Sequence, residues 1–254
     1  MDYEIRDILG SKMYLIKDDV GLSLQLMQHG IREPASTKVI QSIVKPDMVC
    51  IDIGANLGYY ALLEAKKCKY VYAIEPVKSS YDTLVKSIEL NKYKNIKAHN
   101  LAIGNQSGIK NITTCHRNNW ATMLDFKLAA DKYKAKFDRF YKGIEEVNEV
   151  TLDRFVSDNK IDKIDFIRMD VEGYETEIIK GGINTLKAMP RGSHLTIEVH
   201  AGLFKDKTPI IKMLNTIKNI GFKIICGTWK DVKYKATWQQ LSLRGAAQAF
   251  FIKD

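Results

Sequence analysis

A short apolar run that ends in a glycine-containing turn places the strongest constraint on the fold of this chain. The run spans residues 48–53 and reads Met-Val-Cys-Ile-Asp-Ile, and the turn that follows reads Gly-Ala-Asn-Leu-Gly. Such a run is typical of a buried strand, and residues 57–67 then have the pattern of a helix. A buried strand, a tight turn and a helix form the first half of a βαβ unit, which predicts a parallel sheet covered by helices.

The same alternation of strand and helix continues along the chain. Apart from the first run, we predict strands at 70–74, 96–103, 164–169, 195–199, 222–225 and 249–252. Helical patterns separate most of them, including one over 152–158 and one over 174–186. The sequence therefore predicts an α/β, Rossmann-like fold with a seven-stranded, mostly parallel sheet and helices on both faces.

Two stretches fall outside this alternation. Residues 1–45 are predicted to be an N-terminal lead-in segment, and residues 46–254 the α/β domain. At about 105–150 the alternation is interrupted, which predicts an insertion in the domain. The insertion is rich in basic and aromatic residues, among them Lys127, Lys132, Lys134, Lys136, Arg139, Lys142, Phe126, Tyr133, Phe137, Phe140 and Tyr141.

The composition narrows the classes of partner. The net charge is +9 over 254 residues, which favours anionic partners, although lysines spread along most of the chain are equally typical of a solvated surface. No recognised nucleic-acid module or strongly basic tail is present, so a nucleic-acid partner is not expected. No stretch has the pattern of a signal peptide or of a membrane span. None of the four cysteines stands within four residues of another, and we expect a cytoplasmic protein without disulfides.

The glycine turn predicts a cofactor site at the carboxyl end of the first strand. The turn reads G-x-x-x-G and follows Asp52, whereas a dinucleotide site requires G-x-G-x-x-G. An aspartate here repels a pyrophosphate and attracts an ammonium group. Glu75 ends the second strand, 23 residues after Asp52, where its carboxylate can accept both ribose hydroxyls. S-adenosylmethionine carries an amino group, a sulfonium and a ribose but no phosphate, so the pattern favours it over NAD.

The sequence also resembles a known family. D-x-G-A-N-x-G-Y at 52–59 and Glu75-Pro76 resemble the FkbM family of methyltransferases, and four later segments follow in the family's order: 102–104, 151–153, 164–175 and 198–200. The resemblance covers residues 45–205 and implies a class I methyltransferase fold. It also implies S-adenosylmethionine-dependent, usually O-directed, methyl transfer to hydroxyls of natural products and carbohydrates. Arg168 stands where the family more often has lysine.

The resemblance implies roles for individual residues at the cofactor. Four residues of the first turn line the methionine end, namely Asp52, Gly54, Asn56 and Gly58. Glu75 holds the ribose, and Asn100 and Ala102 are weaker candidates for the adenine rim.

Four further residues are candidates for catalysis because they follow the fourth and fifth strands: Asp170, Glu172, Glu198 and His200. We predict that they meet in one pocket. His200 is the first choice as general base because its unperturbed pKa is about 6.5, with a structural histidine as the alternative. Glu198 lies in an apolar strand, which predicts that it orients His200 or pairs with a buried cation. The four residues also leave open a divalent metal held through oxygen and imidazole.

The predicted reaction is O-methylation of a hydroxyl on a carbohydrate, a nucleotide-linked sugar or a natural-product-like small molecule. The alternatives are a nucleic-acid-binding methyltransferase or binding module and, less favoured, an NAD-dependent oxidoreductase. We predict that residues 112–146 cap the acceptor site and that its lysines favour an anionic acceptor. The three tryptophans are predicted to be packing residues.

Overall fold

The computed structural model describes residues 1–243 and 245–254, and for Lys136 the backbone alone. The strands are β1 (Tyr3–Ile8), β2 (Ser11–Ile16), β3 (Val49–Ile53), β4 (Tyr70–Ile74), β5 (Ile96–His99), β6 (Ala102–Gly104), β7 (Gly108–Cys115), β8 (Tyr141–Thr151), β9 (Phe166–Met169), β10 (His194–Val199), β11 (Phe222–Trp229), β12 (Val232–Tyr234) and β13 (Ala247–Lys253). The helices are α1 (Leu22–His29), α2 (Pro34–Ile43), α3 (Tyr59–Ala65), α4 (Lys78–Leu90), α5 (Asp131–Phe140), α6 (Leu152–Asp158), α7 (Glu175–Gly181), α8 (Ile183–Ala188), α9 (Thr208–Asn219) and α10 (Trp238–Leu243). Two 3₁₀ turns, Asn118–Trp120 and Ala201–Leu203, complete the elements.

The central sheet has eight strands in the order β12-β11-β13-β10-β9-β3-β4-β5. Strands β10, β9, β3, β4 and β5 are parallel neighbours, while β13 runs antiparallel between β10 and β11. The sequence predicted seven strands, and the eighth is β12. It was missed because it has only three residues and leaves β11 through a two-residue turn, Lys230-Asp231, in which both φ angles are positive. A strand this short carries no hydrophobic periodicity.

The predicted third strand, 96–103, is two strands in different sheets. β5 joins the central sheet, whereas β6 pairs with β8 in a second sheet of order β6-β8-β7. The chain turns at Asn100, whose side-chain amide donates to the backbone oxygens of Glu75 and Pro76 at 3.0 and 2.8 Å. The two pieces are both apolar and nearly adjacent, so their sequence pattern is that of one strand.

The predicted helix over 174–186 is likewise divided, into α7 and α8. The break follows Gly181, where an added Cβ would lie 2.0 Å from the carbonyl oxygen of Gly104. Glycine therefore lets α7 approach β6, the strand that leads into the insertion.

The insertion is an ordered unit of strand, 3₁₀ turn, helix and strand. β7 and β8 form a long antiparallel pair, from Gly108 opposite Glu149 to Cys115 opposite Tyr141. The chain between them carries the 3₁₀ turn Asn118–Trp120 and α5. Phe137 of α5 is buried and belongs to the same hydrophobic cluster as Met169 of β9. The insertion thus packs against the part of the domain where the central strands end.

The two faces of the central sheet pack into two hydrophobic clusters. Because side chains alternate along a strand, Cys50 of β3 belongs to one cluster and Ile51 to the other. The cluster with Cys50 also contains Leu15 of β2 and Ile40 of α2. Residues 1–45, predicted as a lead-in segment, therefore share their core with the α/β domain. All four cysteines are free and buried, and among the described residues no helix combines the length and apolarity that a membrane crossing requires.

Candidate active site

Two cavities lie where the parallel strands end. The first, which we call the glycine-turn cavity, encloses about 540 Å³ beside the ends of β3 and β4. The second, the histidine cavity, encloses about 660 Å³ beside the end of β10. Asn119 and Glu172 line both of them. The shared walls make the two cavities neighbours.

Four of the seven predicted cofactor residues line the glycine-turn cavity: Gly54, Asn56, Glu75 and Ala102. Gly54 has a φ of 80°, and an added Cβ would lie 2.0 Å from the carbonyl oxygen of Asp170. Glycine is therefore required where the first turn passes the loop after β9.

Glu75 is held by backbone donors on both of its carboxylate oxygens. Oε2 accepts from the N–H of Asn56 at 2.8 Å and Oε1 from the N–H of Val77 at 2.9 Å. The side chain is buried, and burial raises its pKa to about 7, although the two N–H groups oppose the rise. The remaining lone pairs can accept hydrogen bonds from the hydroxyl groups of a ligand in the cavity.

Asparagines of the insertion supply further polar atoms to this cavity. Among the residues that the structure describes, the buried amide nitrogen and oxygen of Asn118 have no hydrogen-bond partner, and neither has the amide oxygen of Asn119. Buried polar atoms of this kind normally find a partner. The rest of the wall is largely apolar, with Ile74, Leu101 and Met123. The cavity therefore suits a flat apolar group with polar edges together with a hydroxyl-bearing group.

The other three predicted cofactor residues lie outside the cavity wall. Asp52 is fully buried and accepts from Arg168 at 3.0 Å, so its carboxylate is engaged with a protein cation. Gly58 is the N-cap of α3, and an added Cβ there would lie 2.5 Å from Leu84 Cδ1. Asn100 holds the backbone after β4 instead of facing the cavity. These three residues lie behind the described wall, on which Asp170 and Glu172 are carboxylates besides Glu75.

The structure brings the four predicted catalytic residues together. His200 Nε2 lies 3.4 Å from Glu172 Oε2 and 3.7 Å from Glu198 Oε1. Asp170, Glu198 and His200 offer ligand atoms that all lie within 4.8 Å of one another. Glu172, Glu198 and His200 line the histidine cavity, and Asp170 lines the neighbouring one.

The sequence pattern did not reveal the partner of His200. Glu175 is fully buried, and its Oε1 lies 2.7 Å from His200 Nδ1. The same oxygen accepts from the N–H of Gly173 at 3.2 Å, which fixes the carboxylate in place. Glu175 stands in the segment 164–175 that carried the family resemblance, but its position at the start of a helix also suits a simple first-turn carboxylate.

The charges around His200 decide its protonation. Burial opposes the charged imidazolium, but Glu175, Glu172 and Glu198 outweigh it and raise the pKa of His200 well above its ordinary value. Burial raises the pKa of Glu172 to about 7, and His200 opposes that rise. His200 thus holds a proton near neutral pH, while Glu172 exchanges one.

Two arginines neutralise part of this cluster. Arg168 is buried, donates to both Asp52 and Asp170, and stacks on the ring of Tyr60 at 4.0 Å. Arg32 lies 3.9 Å from Asp170. Burial raises the pKa of Asp170, yet the arginines outweigh it and lower that pKa below its ordinary value. Asp170 is therefore ionised and already paired.

The insertion holds the loop that carries Glu172. Glu172 has a φ of 50°, which is unusual for a residue with a side chain. Thr122 donates to the carbonyl oxygen of Glu172 at 2.6 Å. Strained conformations at functional sites persist only where the surroundings hold them, and Thr122 supplies such a contact.

The insertion contributes aromatic side chains to the histidine cavity. Trp120, Tyr133 and Phe137 line it, and the N-terminal segment adds Arg32. Neither Lys132 nor Lys134 is on the described wall of either cavity, and the side chain of Lys136 lies outside the described residues. Trp120, predicted as a packing residue, thus also forms part of the cavity wall.

Comparison with known proteins identifies the family. Residues 52–224 match the family described as the methyltransferase FkbM domain. The chain belongs to the FkbM methyltransferase family. The central sheet agrees with this membership, because without β12 its strand order is that of a class I methyltransferase fold.

Relatives of this FkbM chain include two curated methyltransferases. The hexuronic acid methyltransferase AglP of Haloferax volcanii is 23% identical over 172 residues, which cover 68% of this chain and 63% of AglP. The 2-O-methyltransferase NoeI of Sinorhizobium fredii is 25% identical over 183 residues, covering 65% of this chain and 74% of NoeI. The crystal structure of methyltransferase FkbM from Methylobacillus flagellatus superposes with a TM-score of 0.51 at 14% identity, covering 85% of this chain and 50% of that one. This FkbM chain therefore spans less than two thirds of AglP and half of the crystallised protein.

Proposed function

We propose that this FkbM chain is an S-adenosylmethionine-dependent O-methyltransferase whose acceptor is a hydroxyl of a carbohydrate. The observation that carries the proposal is the position of Glu172, on the wall shared by the glycine-turn cavity and the histidine cavity. One cavity fits the cofactor and the other the acceptor, so the proposed base stands where the two molecules meet.

The glycine-turn cavity fits S-adenosylmethionine by the chemistry of its wall. Glu75 accepts the ribose hydroxyls, and the apolar side chains with the unpaired amide of Asn118 suit the adenine. Asp170, ionised beside Arg168, lies on the wall as the carboxylate for the amino group of the cofactor. It takes the part that the sequence assigned to Asp52.

When bound, S-adenosylmethionine supplies a methyl group on a sulfonium, which transfers in line to an acceptor oxygen. The protein aligns the hydroxyl and accepts its proton. Glu172 accepts that proton because its pKa of about 7 lies near neutral pH, where a general base is most effective. His200 stays protonated, held by Glu175, and stabilises the ionised form of Glu172.

A divalent metal at Asp170, Glu198 and His200 is the competing arrangement. Two contacts favour the metal-free one. Arg168 donates to Asp170 at 2.8 Å, and three carboxylates keep His200 protonated. A metal requires the neutral imidazole and repels the guanidinium.

The histidine cavity fits a sugar. Its aromatic wall offers flat apolar faces for the C–H groups of a pyranose, and its carboxyl groups accept hydroxyls. The names of the two curated relatives point the same way, to a hexuronic acid and to a 2-O position. On the described part of the cavity wall, Arg32 is the candidate partner for an anionic acceptor. A nucleic-acid acceptor is the alternative, and the feature that supports it is the net charge of +9.

The proposal is tested first through the cofactor. Isothermal calorimetry of S-adenosylhomocysteine with the wild type and Glu75→Gln should show a loss of affinity of about tenfold or more, because charge-assisted hydrogen bonds are lost. Glu89→Gln, an exposed position in α4, is the matched control. Equal affinity of all three proteins, or heat on addition of NAD but not of S-adenosylhomocysteine, would contradict the proposal.

A further inference from the structure

A third cavity adjoins the histidine cavity on the other side of Glu198. It encloses about 580 Å³, and Glu198 and Ala246 line both cavities. We call it the Gln248 cavity after the residue at its base. The mechanism described above uses none of its side chains except Glu198, so its polar wall calls for an explanation of its own.

Gln248 is the unusual residue of this cavity. It lies in β13 with only 4% of its surface exposed, and neither its amide nitrogen nor its amide oxygen has a hydrogen-bond partner among the residues that the structure describes. A buried amide left unpaired is costly, so native structures normally satisfy it. Its side chain lines the cavity, so the cavity is the place from which a ligand would have to supply the missing partner.

The neighbours of Gln248 extend the polar surface across three strands. Gln248 is paired in register with Glu198 of β10 on one side and with Thr228 of β11 on the other. Side chains paired in register lie on the same face of a sheet. Thr228 is joined to Ser36 through their hydroxyl oxygens at 2.6 Å. A carboxyl, an amide and two hydroxyls thus form a row.

The composition of this row matches a polyhydroxyl ligand. A carboxamide has an acceptor oxygen and a donor nitrogen side by side, which complements two neighbouring hydroxyls of a sugar. Trp229 stands on the wall with 44% of its surface exposed, and Lys230 Nζ lies 4.8 Å from the centroid of its ring.

The charges argue against a phosphate. On the described wall Lys230 has Asp231 beside it in the turn, and Glu33 pairs with Arg32 at 2.9 Å. No positively charged side chain of the described wall therefore pairs with Glu198. A diphosphate needs a surplus of positive charge, so a nucleotide does not suit this cavity.

We propose that the Gln248 cavity is a saccharide subsite that binds the sugar ring next to the one methylated in the histidine cavity. The acceptor is then a glycan of at least two rings and not a nucleotide-linked monosaccharide. The inference rests on the proposed function, because the histidine cavity has to hold the methylated ring.

The test measures binding, with the protein saturated by S-adenosylhomocysteine. The probes are the methyl glycosides of glucose, galactose, mannose and glucuronic acid, the disaccharides in which each carries a second glucosyl ring, and UDP-glucuronic acid. Calorimetry should show at least one disaccharide bound about tenfold or more tightly than its parent monosaccharide. Gln248→Leu should remove that gain and leave monosaccharide binding unchanged, since the substitution affects only the second ring.

Gln106→Leu, at an exposed turn before β7, is the matched control and should bind like the wild type. Thermal unfolding of Gln248→Leu checks that the fold is retained. The subsite is overturned if no disaccharide binds more tightly than its parent, if Gln248→Leu weakens both equally, or if UDP-glucuronic acid binds most tightly. Failure of S-adenosylhomocysteine to bind at the outset would instead overturn the proposed function.

Discussion

At the scale of single residues, Glu172 combines a shared cavity wall with a pKa near 7. Glu172→Gln should lower the turnover number about 10²–10⁴-fold, because a general base contributes that much. The wild-type rate should fall as the pH drops through about 7, where Glu172 gains a proton, and the variant should lose this limb. Glu146→Gln, exposed in β8, should behave like the wild type.

A chelator should leave the wild-type rate unchanged, and loss of activity restored by magnesium or manganese would favour the metal arrangement.

His200 Nε2 lies 3.4 Å from Glu172 Oε2 and therefore influences the pKa of Glu172. Its positive charge lowers the pKa of Glu172, so His200→Gln should move the acid limb of the pH–rate profile to higher pH while activity persists above it. His116→Gln, exposed in the insertion, should leave the limb in place. If His200 were itself the base, the variant would instead lose about 10²–10⁴ in rate at every pH, and that result would overturn the assignment to Glu172.

At the scale of elements, the 3₁₀ turn of the insertion carries a residue whose substitution should weaken acceptor binding without weakening cofactor binding. Trp120 lines the histidine cavity but not the glycine-turn cavity. Trp120→Ala should therefore raise the KM for the acceptor about tenfold, through lost aromatic contact, with the affinity for S-adenosylhomocysteine unchanged. Trp238→Ala is the matched control, because Trp238 stacks on Phe251 in the core. Equal effects of the two substitutions on KM would show that Trp120 is a packing residue, as the sequence suggested.

At the scale of the whole molecule, buried carboxyl groups couple stability to pH. Burial raises the pKa of Glu75 and Glu172 to about 7 and that of Glu64 well above its ordinary value. The folded state then binds more protons than the unfolded chain, so this contribution is full below about pH 4.5 and is lost as the pH rises through about 7. A carboxyl shifted by this much changes the free energy of unfolding by about 3 kcal/mol.

Urea unfolding at about pH 5 and about pH 7.5 should show the protein more stable at the lower pH. Within the described part of the chain neither oxygen of Glu64 has a hydrogen-bond partner, so Glu64→Gln imitates its neutral form and should reduce the difference in stability between the two pH values. Glu89→Gln should not change it. A wild-type stability that rises with pH in this window would show that these groups are ionised in the folded protein.

The sequence by itself determined the features that depend on neighbouring residues. The glycine turn after β3, the alternation of strand and helix, and the order of the family's segments are local patterns. They were enough to predict the fold class and to place Glu75, Asp170, Glu172, Glu198 and His200 at strand ends. Parallel strands bring their carboxyl ends to one edge of the sheet, so these residues had to be near one another.

Only the tertiary structure decided what those residues face and which of them hold protons. Asp52 is turned into the core by Arg168, which lies 116 residues further along the chain. His200 is protonated because Glu175, Glu172 and Glu198 surround it. Gln248 faces a cavity because β13 returns between β10 and β11. Burial and charge are sums over every neighbour in space, and most of those neighbours are distant in sequence, so a local pattern contains no record of them.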